Sequence, residues 1–241
     1  ASLLHIEDKP LIPKEFTLPE YIESALNEVV VERTSIQKLK RSNLSPVKTI
    51  LFTGNPGVGK TLATKWLARM LDLPLYTLDL SSVMSSYLGR TGTNLRYVMD
   101  HAKKNPCILL LDEIDSIAKK RDDEGEIGEL KRLVTVILQQ IDIWPDSGLL
   151  VAATNHPQLL DPALWRRFDL ILNFPMPDEE TINHLITNML DTSLVSTKLI
   201  DILSITLDGL SFSDISKHIN QIKKRSVLLK KEIEEIALDF I

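Results

Sequence analysis

The chain contains the stretch Gly54-Asn55-Pro56-Gly57-Val58-Gly59-Lys60-Thr61, which fits the pattern G-x-x-x-x-G-K-[ST] of a phosphate-binding loop. The glycines let backbone N–H groups turn toward a crowded anion without Cβ clashes. In such a loop, Lys60 reaches the β- and γ-phosphates and Thr61 holds Mg²⁺ through its hydroxyl. The pattern therefore predicts a site for a nucleoside triphosphate and Mg²⁺.

The residues on either side of the loop support this prediction. Residues 49–53 are typical of a buried strand, and apolar residues follow the loop at helical spacing. The helix N-terminus then faces the phosphates, and we count Leu62, just after the loop, among the nucleotide-binding residues. A glycine-rich turn in an unrelated α/β protein is the alternative, and the presence of strand, loop and helix together disfavours it.

Two further apolar runs lead to polar residues that suit the same chemistry. Residues 108–111 end in Asp112 and Glu113, and residues 149–153 end shortly before Asn155. The first carboxylate can support Mg²⁺, and the second can take a proton from an attacking water. A buried amide usually has a partner, and for Asn155 we expect the γ-phosphate or that water. A solvated acidic turn is the alternative at residues 112–113, and its position after a buried strand disfavours it.

Strand and helix patterns alternate up to residue 174, and only helical patterns follow the break at Pro175-Met176-Pro177. We expect an extended lead-in at residues 1–20, to which the sequence assigns no function, and a large α/β domain at 21–174. A small helical domain at 178–241 is too short for a comfortable core of its own. The large domain is predicted to hold a five-stranded parallel sheet flanked by helices, and one helix is predicted over residues 19–41.

Composition narrows the classes of function. The chain is 44 % apolar and 25 % charged with a net charge of −5, so no overall positive charge favours nucleic acid or an anionic membrane. The single cysteine, Cys107, excludes a disulfide framework and suits a reducing compartment, which predicts a cytoplasmic location. No apolar run reaches the roughly 18 residues that a spanning helix requires. The chain begins at Ala1 rather than Met, which fits a fragment of a longer protein.

Two polar segments can be interpreted either as functional or as ordinary parts of the protein surface. Arg166-Arg167 is either surface charge or the source of a guanidinium for a neighbouring subunit's γ-phosphate. Such a guanidinium accelerates phosphoryl transfer by about 10³–10⁵. Tyr87-Leu88 stands in a polar setting, and on the residues alone we favour a loop that folds back on the domain.

In combination, these motifs resemble the AAA family of AAA+ ATPases from about Tyr21 to the C-terminus. The loop at 54–61 and the strand at 108–113 match the family's Walker A and Walker B motifs, and Asn155 matches its first sensor. Arg166-Arg167-Phe168-Asp169 falls near the family's arginine-finger segment.

Two more segments extend the resemblance. Ser86-Tyr87-Leu88-Gly89 falls where the family carries its first pore loop, which reverses the interpretation of Tyr87 given above. Gly209-Leu210-Ser211-Phe212-Ser213-Asp214 is similar to the small-domain nucleotide motif G-x-S-G-A-D, so Phe212 and Ser213 are expected to contact the nucleotide. The match departs from the family at two points. Phe212-Ser213 replaces the small Gly-Ala pair, and many relatives have about two more residues between the paired arginines.

The resemblance implies a P-loop AAA+ module, an α/β domain followed by a small all-helical lid domain. It implies a homo-oligomeric ring, usually a hexamer, which binds ATP between subunits and grips a polypeptide with aromatic pore loops. The sequences of residues 152–157 and 163–169 resemble those of compact bacterial stand-alone AAA proteins. Some of those proteins are encoded beside a subtilisin-like peptidase. A protease acting in trans is therefore one expected partner.

We therefore expect a Mg²⁺-dependent ATPase that remodels proteins, with Arg166 or Arg167 acting in trans. A nucleotide-gated assembly switch, which recruits a partner without threading it, is the main alternative. A DNA-handling AAA+ loader is disfavoured by the acidic balance and by the absence of a nucleic-acid module. A GTPase is disfavoured further because the sequence has no N-K-x-D guanine-reading motif.

Overall fold

The computed structural model describes residues 4–81, 91–119, 127–190 and 195–239. Within these ranges, strands and helices alternate up to Phe174 and helices follow. The strands are β1 (Leu4–Glu7), β2 (Thr49–Gly54), β3 (Leu75–Asp79), β4 (Ile108–Asp112), β5 (Leu149–Thr154) and β6 (Leu170–Phe174). The helices that precede β6 are α1 (Glu20–Thr34), α2 (Ile36–Arg41), α3 (Lys60–Met70), α4 (Thr91–Lys104), α5 (Ser116–Lys119), α6 (Ile127–Asp142) and α7 (Pro162–Trp165). The helices that follow it are α8 (Glu179–Met189), α9 (Thr197–Thr206), α10 (Phe212–Leu229) and α11 (Ile233–Leu238).

The six strands form one mostly parallel sheet in the order β1-β3-β4-β5-β2-β6. Strand β4 is parallel to both β3 and β5, and β5 is parallel to β2. Residues 108–111 and 149–154 are buried throughout, as expected for strands covered on both faces. Because parallel strands end at the same edge, this register brings the ends of β2, β4 and β5 together.

The predicted fold class is confirmed, and the structure adds one strand to the predicted sheet. A sixth strand, β1, pairs antiparallel with β3 in the segment that was predicted to be an extended lead-in. Four residues are too few to show a period, and a contact distant in sequence stabilises them: Lys65 Nζ lies 2.9 Å from Glu7 Oε2.

The single helix predicted over residues 19–41 is wrong, since α1 ends at Thr34 and α2 begins at Ile36. The Thr34 hydroxyl donates to the carbonyl oxygen of Val30 at 2.9 Å. A threonine side chain that bonds to a carbonyl one turn earlier competes with the helical backbone, which gives the break a local cause.

The chain divides into two compact units. The first takes its described residues from Ala1–Leu11, Tyr21–Gly54 and Lys60–Asn173. Its core packs residues of the central strands against α4 and α6, with Leu111, Met99 and Ile137 all fully buried. The second takes its residues from Ile12–Glu20, Asn55–Gly59 and Phe174–Ile241.

The second unit has its own apolar core, which includes Ile182, Ile186, Ile215 and Ile219. Two of its helices, α8 and α10, begin at side-chain N-caps. Asp178 accepts from Thr181 N at 2.9 Å before α8, and Ser211 accepts from Asp214 N at 3.2 Å before α10. Serine and aspartate at this position satisfy an N–H group that has no partner within the helix.

The lone cysteine lies immediately before β4. Cys107 is buried, and its Sγ donates to the carbonyl oxygen of Ala102 at 3.4 Å. Burial raises the pKa of the Cys107 thiol to about 12. In the described parts of the chain, no helix has both the length and the hydropathy to span a membrane.

Candidate nucleotide-binding site

The loop between β2 and α3 has the backbone that its glycines predict. Gly57 has a φ of 77° and Gly59 a φ of 100°, a region that favours glycine. A side chain at position 57 would also clash, because a Cβ on Gly57 would lie 2.5 Å from Ser211 Oγ. The N–H of Ser213 donates to the carbonyl oxygen of Gly57 at 3.1 Å. In the second unit, the loop tip is therefore bonded to the start of α10.

Lys60, the first residue of α3, has a side chain that is only 7 % exposed. Its Nζ donates to the carbonyl oxygen of Gly54 at 2.7 Å and to Asn155 Oδ1 at 2.8 Å. Burial lowers the pKa of Lys60 to about 8, although Asp112 and Asp115 oppose that shift. The ammonium is thus buried at the end of β2 and is oriented by two oxygen acceptors.

Thr61 and Asp112 bring a hydroxyl and a carboxylate together at the ends of α3 and β4. Thr61 Oγ1 donates to Asp112 Oδ2 at 3.4 Å. Burial raises the pKa of Asp112, while the N–H of Glu113, the charge of Lys60 and the Thr61 hydroxyl act in the opposite direction.

These two side chains fit Mg²⁺. The ion prefers oxygen ligands and is commonly held by one or two protein groups together with phosphate oxygens and water. Among the residues that the structure describes, no group of three or more His, Cys, Asp or Glu could hold a metal ion by itself. Thr61 and Asp112 therefore suit a Mg²⁺ ion whose other ligands are the phosphate oxygens of a nucleotide and water.

Glu113 follows β4 in a left-handed conformation with a φ of 53°. Its side chain is exposed, and its N–H donates to Asp112 Oδ1 at 3.0 Å. A non-glycine residue in this region costs about 1–3 kcal/mol and is found disproportionately at functional sites. The turn separates the roles of the two acids, because Asp112 is partly buried beside Thr61 and Glu113 points to solvent.

The structure also shows a buried aspartate to which the sequence assigned no role. Asp115 is 1 % exposed and accepts from Thr154 Oγ1 at 2.8 Å and from the N–H of Asn155 at 3.3 Å. These bonds fix the backbone at the end of β5 and orient Asn155 toward Lys60. A sequence signal existed, since Asp115 is the third acid within four residues after a buried strand, but periodicity alone could not show which way it faces.

The two adjacent arginines have different surroundings. Arg167 forms an ion pair with Asp142, at the end of α6. Arg166 is the C-cap that follows α7, and its exposed side chain has no hydrogen bond or ion pair to any residue that the structure describes. Both side chains are exposed, and of the two only Arg167 has a partner within the part of the chain that the structure describes.

The remaining predicted site residues differ in how far they are exposed to solvent. Val58 is buried, Asn55 and Pro56 are exposed, and Leu62 is half-buried in the first turn of α3. Phe212 packs against the apolar core of the second unit, whereas Ser213 is exposed. The predicted pore-loop residues Tyr87 and Leu88 lie outside the described residues.

Known proteins that are related in sequence to this chain are ATPases. Residues 50–176 match the model of the ATPase family associated with various cellular activities (AAA). The chain is 34 % identical over 245 residues to an AAA family ATPase, y4kL, of Sinorhizobium fredii, covering 94 % of this chain and 74 % of that protein. It is 33 % identical over 189 residues to the proteasome-activating nucleotidase of Methanococcus maripaludis, covering 75 % of this chain but only 46 % of that protein.

Solved structures show the same fold. The crystal structure of the FIGL-1 AAA domain superimposes with a TM-score of 0.75 at 23 % identity, covering 92 % of this chain and 74 % of that one. The matched family model spans Lys60 and Thr61 at the start of α3, Asp112 at the end of β4 and Asn155 after β5, which the structure brings together at one edge of the sheet. The chain therefore belongs to the AAA family of ATPases.

Proposed function

We propose that this chain is a Mg²⁺-dependent ATPase that works in a homo-oligomeric ring, a hexamer, and remodels proteins by drawing them through a central pore. One observation carries the ATPase part of the proposal. The Lys60 ammonium lies 2.8 Å from Asn155 Oδ1, and the adjacent Thr61 hydroxyl lies 3.4 Å from the Asp112 carboxylate. The chemical groups needed for phosphoryl transfer to water thus surround the end of one phosphate-binding loop.

The proposed chemistry assigns one task to each side chain. Lys60 and the loop amides bind the phosphates, and Asn155 contacts the γ-phosphate or the attacking water. Glu113 accepts a proton as the water oxygen bonds to the γ-phosphorus and the bond from that phosphorus to the bridging oxygen of ADP breaks. Thr61 and Asp112 would hold Mg²⁺, which neutralises charge on the phosphate oxygens.

We assign the trans role to Arg166 and a positioning role to Arg167. Arg166 is exposed and has no partner among the described residues, so its guanidinium is available to a neighbouring subunit. Arg167 pairs with Asp142 and ties the segment before β6 to the end of α6. An exposed ion pair contributes little to stability, so the expected role of Arg167 is to orient its neighbour.

The wider proposals rest on the family. The proteasome-activating nucleotidase is a relative, which supports a protein substrate and a protease as a partner in trans. The lone buried cysteine supports a reducing compartment such as the cytoplasm, in a bacterial cell. Neither nucleic acid nor a membrane is part of the proposal.

The test is the ATPase rate per subunit as a function of protein concentration, for wild type, Arg166→Ala, Arg167→Ala and Asp142→Asn. We expect the wild-type rate to rise with concentration, and Arg166→Ala to lose at least 10³-fold in rate while it still binds ATP. Arg167→Ala and Asp142→Asn should share a smaller loss, because each removes the same ion pair. Glu113→Gln serves as the control that binds ATP and assembles without hydrolysis.

Two results would contradict these assignments. A severe loss in Arg167→Ala with normal activity in Asp142→Asn would make Arg167 the trans arginine. A rate that is independent of concentration and insensitive to both arginines would reject the shared site and favour a nucleotide-gated assembly switch.

A further inference from the structure

A pocket of about 520 Å³ lies between α4 and α6 in the first unit, and none of its lining residues is assigned to the nucleotide. The two helices share a buried core that includes Met99 and Ile137. Residues three or four apart lie on one face of a helix, so each helix presents a short row of side chains to the pocket. The lining consists of Arg96 and Asp100 on α4, and of Gln139, Gln140, Asp142 and Ile143 at the end of α6 and just after it.

Gln140 lines this pocket although it is only 4 % exposed. Its Oε1 is buried and accepts no hydrogen bond from any residue that the structure describes. A buried acceptor without a partner lowers stability, and an apolar side chain of similar volume, such as leucine, would avoid that cost. The glutamine therefore indicates that a molecule bound in the pocket supplies a hydrogen-bond donor.

The polar groups of the lining are mostly acceptors. Asp100 and Asp142 provide two carboxylates, and the Gln140 amide oxygen lies with them in the same pocket. Each carboxylate has one basic partner within the chain, but a carboxylate can accept about four hydrogen bonds. Arg96 is the only cation of the lining, and its Nη2 donates to Gln139 Oε1 at 3.2 Å. The pocket therefore favours a ligand that brings positive charge and N–H donors.

We propose that this pocket binds a small organic cation with a guanidinium or primary ammonium group. A guanidinium presents several N–H donors in a fixed fork, which suits a carboxylate and a neighbouring amide oxygen together. Ile143 is 62 % exposed and gives the carbon chain of such a ligand an apolar contact. The volume of the pocket falls within the range of about 300–1,000 Å³ that is usual for small-molecule sites.

The probe is agmatine, which has a guanidinium at one end of a carbon chain and an ammonium at the other. Calorimetry without nucleotide measures its dissociation constant for wild type and three variants. Gln140→Leu should weaken binding at least tenfold, because it removes an acceptor for a charged donor. Asp100→Asn should weaken it about threefold, because Asp100 is half-exposed and its charge is partly screened. Gln221→Leu, at an exposed glutamine on α10 in the second unit, is the matched control and should change nothing.

Thermal unfolding separates ligand binding from a structural role of Gln140. Without agmatine, Gln140→Leu should unfold at the same temperature as wild type or at a higher one, because the variant keeps the volume and loses an unpaired acceptor. Agmatine should raise the unfolding temperature of wild type and leave that of Gln140→Leu unchanged. A destabilised Gln140→Leu would show that the glutamine is satisfied within the folded chain, and would overturn the proposal.

The charge of the ligand is tested with butylurea, which has a planar N–H donor group but no charge. It should bind at least tenfold more weakly than agmatine. Equal affinity for the two compounds, equal affinity of wild type and Gln140→Leu for agmatine, or no agmatine binding to wild type would each overturn the proposal. These outcomes leave the proposed ATPase function untouched, because no nucleotide is present in the assay.

Discussion

Lys60 is a buried lysine of the candidate site, and its pKa lies in a range where protein assays are run. Burial lowers the pKa of Lys60 from 10.5 to about 8, and the charges of Asp112 and Asp115 limit the shift. Near pH 8 a substantial fraction of the side chain is therefore neutral. A polyanion bound beside Nζ favours the charged form, so the pKa of Lys60 must rise when nucleotide binds.

This linkage predicts proton uptake on ATP binding. At pH 8 about half of the free protein carries neutral Lys60, so binding should take up about half a proton per site, whereas at pH 6.5 it should take up almost none. Calorimetry in two buffers of different ionisation enthalpy measures the uptake. Lys60→Arg cannot lose its proton in this range and is the matched control. The same heat in both buffers at pH 8 would contradict the shifted pKa.

At the residue scale, residues that belong to a recognisable motif were predictable, and residues whose role depends on a tertiary contact alone were not. The sequence assigned Lys60 and Asn155 to one site, and the structure brings their polar atoms to 2.8 Å. It assigned no role to Asp115 or Gln140. The first faces Thr154 only because β4 and β5 pair in register, and the second lines a pocket only because α4 packs beside α6.

At the scale of elements, continuous apolar runs were the reliable signal. The five predicted strands are present, and the clearest signals among them were β2, β4 and β5, which are buried almost throughout and consist mostly of apolar residues. The antiparallel edge strand β1 was missed, since its four residues depend on pairing with β3. The helix break before α2 was missed as well, because it depends on a side-chain bond from Thr34.

The bond between the loop and α10 gives a prediction at this scale. Gly57→Ala would place a Cβ 2.5 Å from Ser211 Oγ and would also strain a φ of 77°, so nucleotide affinity should fall and stability should drop by about 2–3 kcal/mol. Gly209→Ala is the matched control, since Gly209 has a φ of 79° and no atom within 4 Å of its Cβ position. It should lose about 1 kcal/mol, the cost of the strained backbone without the contact.

Thermal unfolding and ATP titration of both variants measure these two effects. The difference in stability between them isolates the contact with Ser211, because the backbone strain is the same. Equal losses of stability, with ATP affinity unchanged in both, would show that contact between the loop and α10 is dispensable.

At the scale of the whole molecule, the order of elements predicted the fold class, and the family match confirms it. Assembly was not predictable from packing, since Arg166, the residue proposed to reach a neighbouring subunit, is exposed and has no partner among the described residues. Threading stays a prediction, because its carriers, Tyr87 and Leu88, lie outside the described residues.

Tyr87→Ala tests threading. The variant should hydrolyse ATP within about twofold of the wild-type rate, because Tyr87 belongs to none of the phosphate-binding segments, and it should lose ATP-dependent unfolding of a protein substrate. Unfolding is measured as the loss of fluorescence of a tagged fluorescent protein. Tyr97→Ala is the matched control, since Tyr97 on α4 is 75 % exposed, and it should unfold substrate normally. Persistent unfolding by Tyr87→Ala would reject a gripping role for this tyrosine.

The burial of Cys107 has a practical consequence for fluorescence labelling of the protein. A thiol with a pKa of about 12 and no solvent access carries almost no reactive thiolate at neutral pH. Cys107 of the folded native chain should therefore not react with maleimides. A single new cysteine at an exposed position would accept one dye without any prior mutation of the core, and two would accept a fluorescence-transfer pair that follows the two units through the nucleotide cycle.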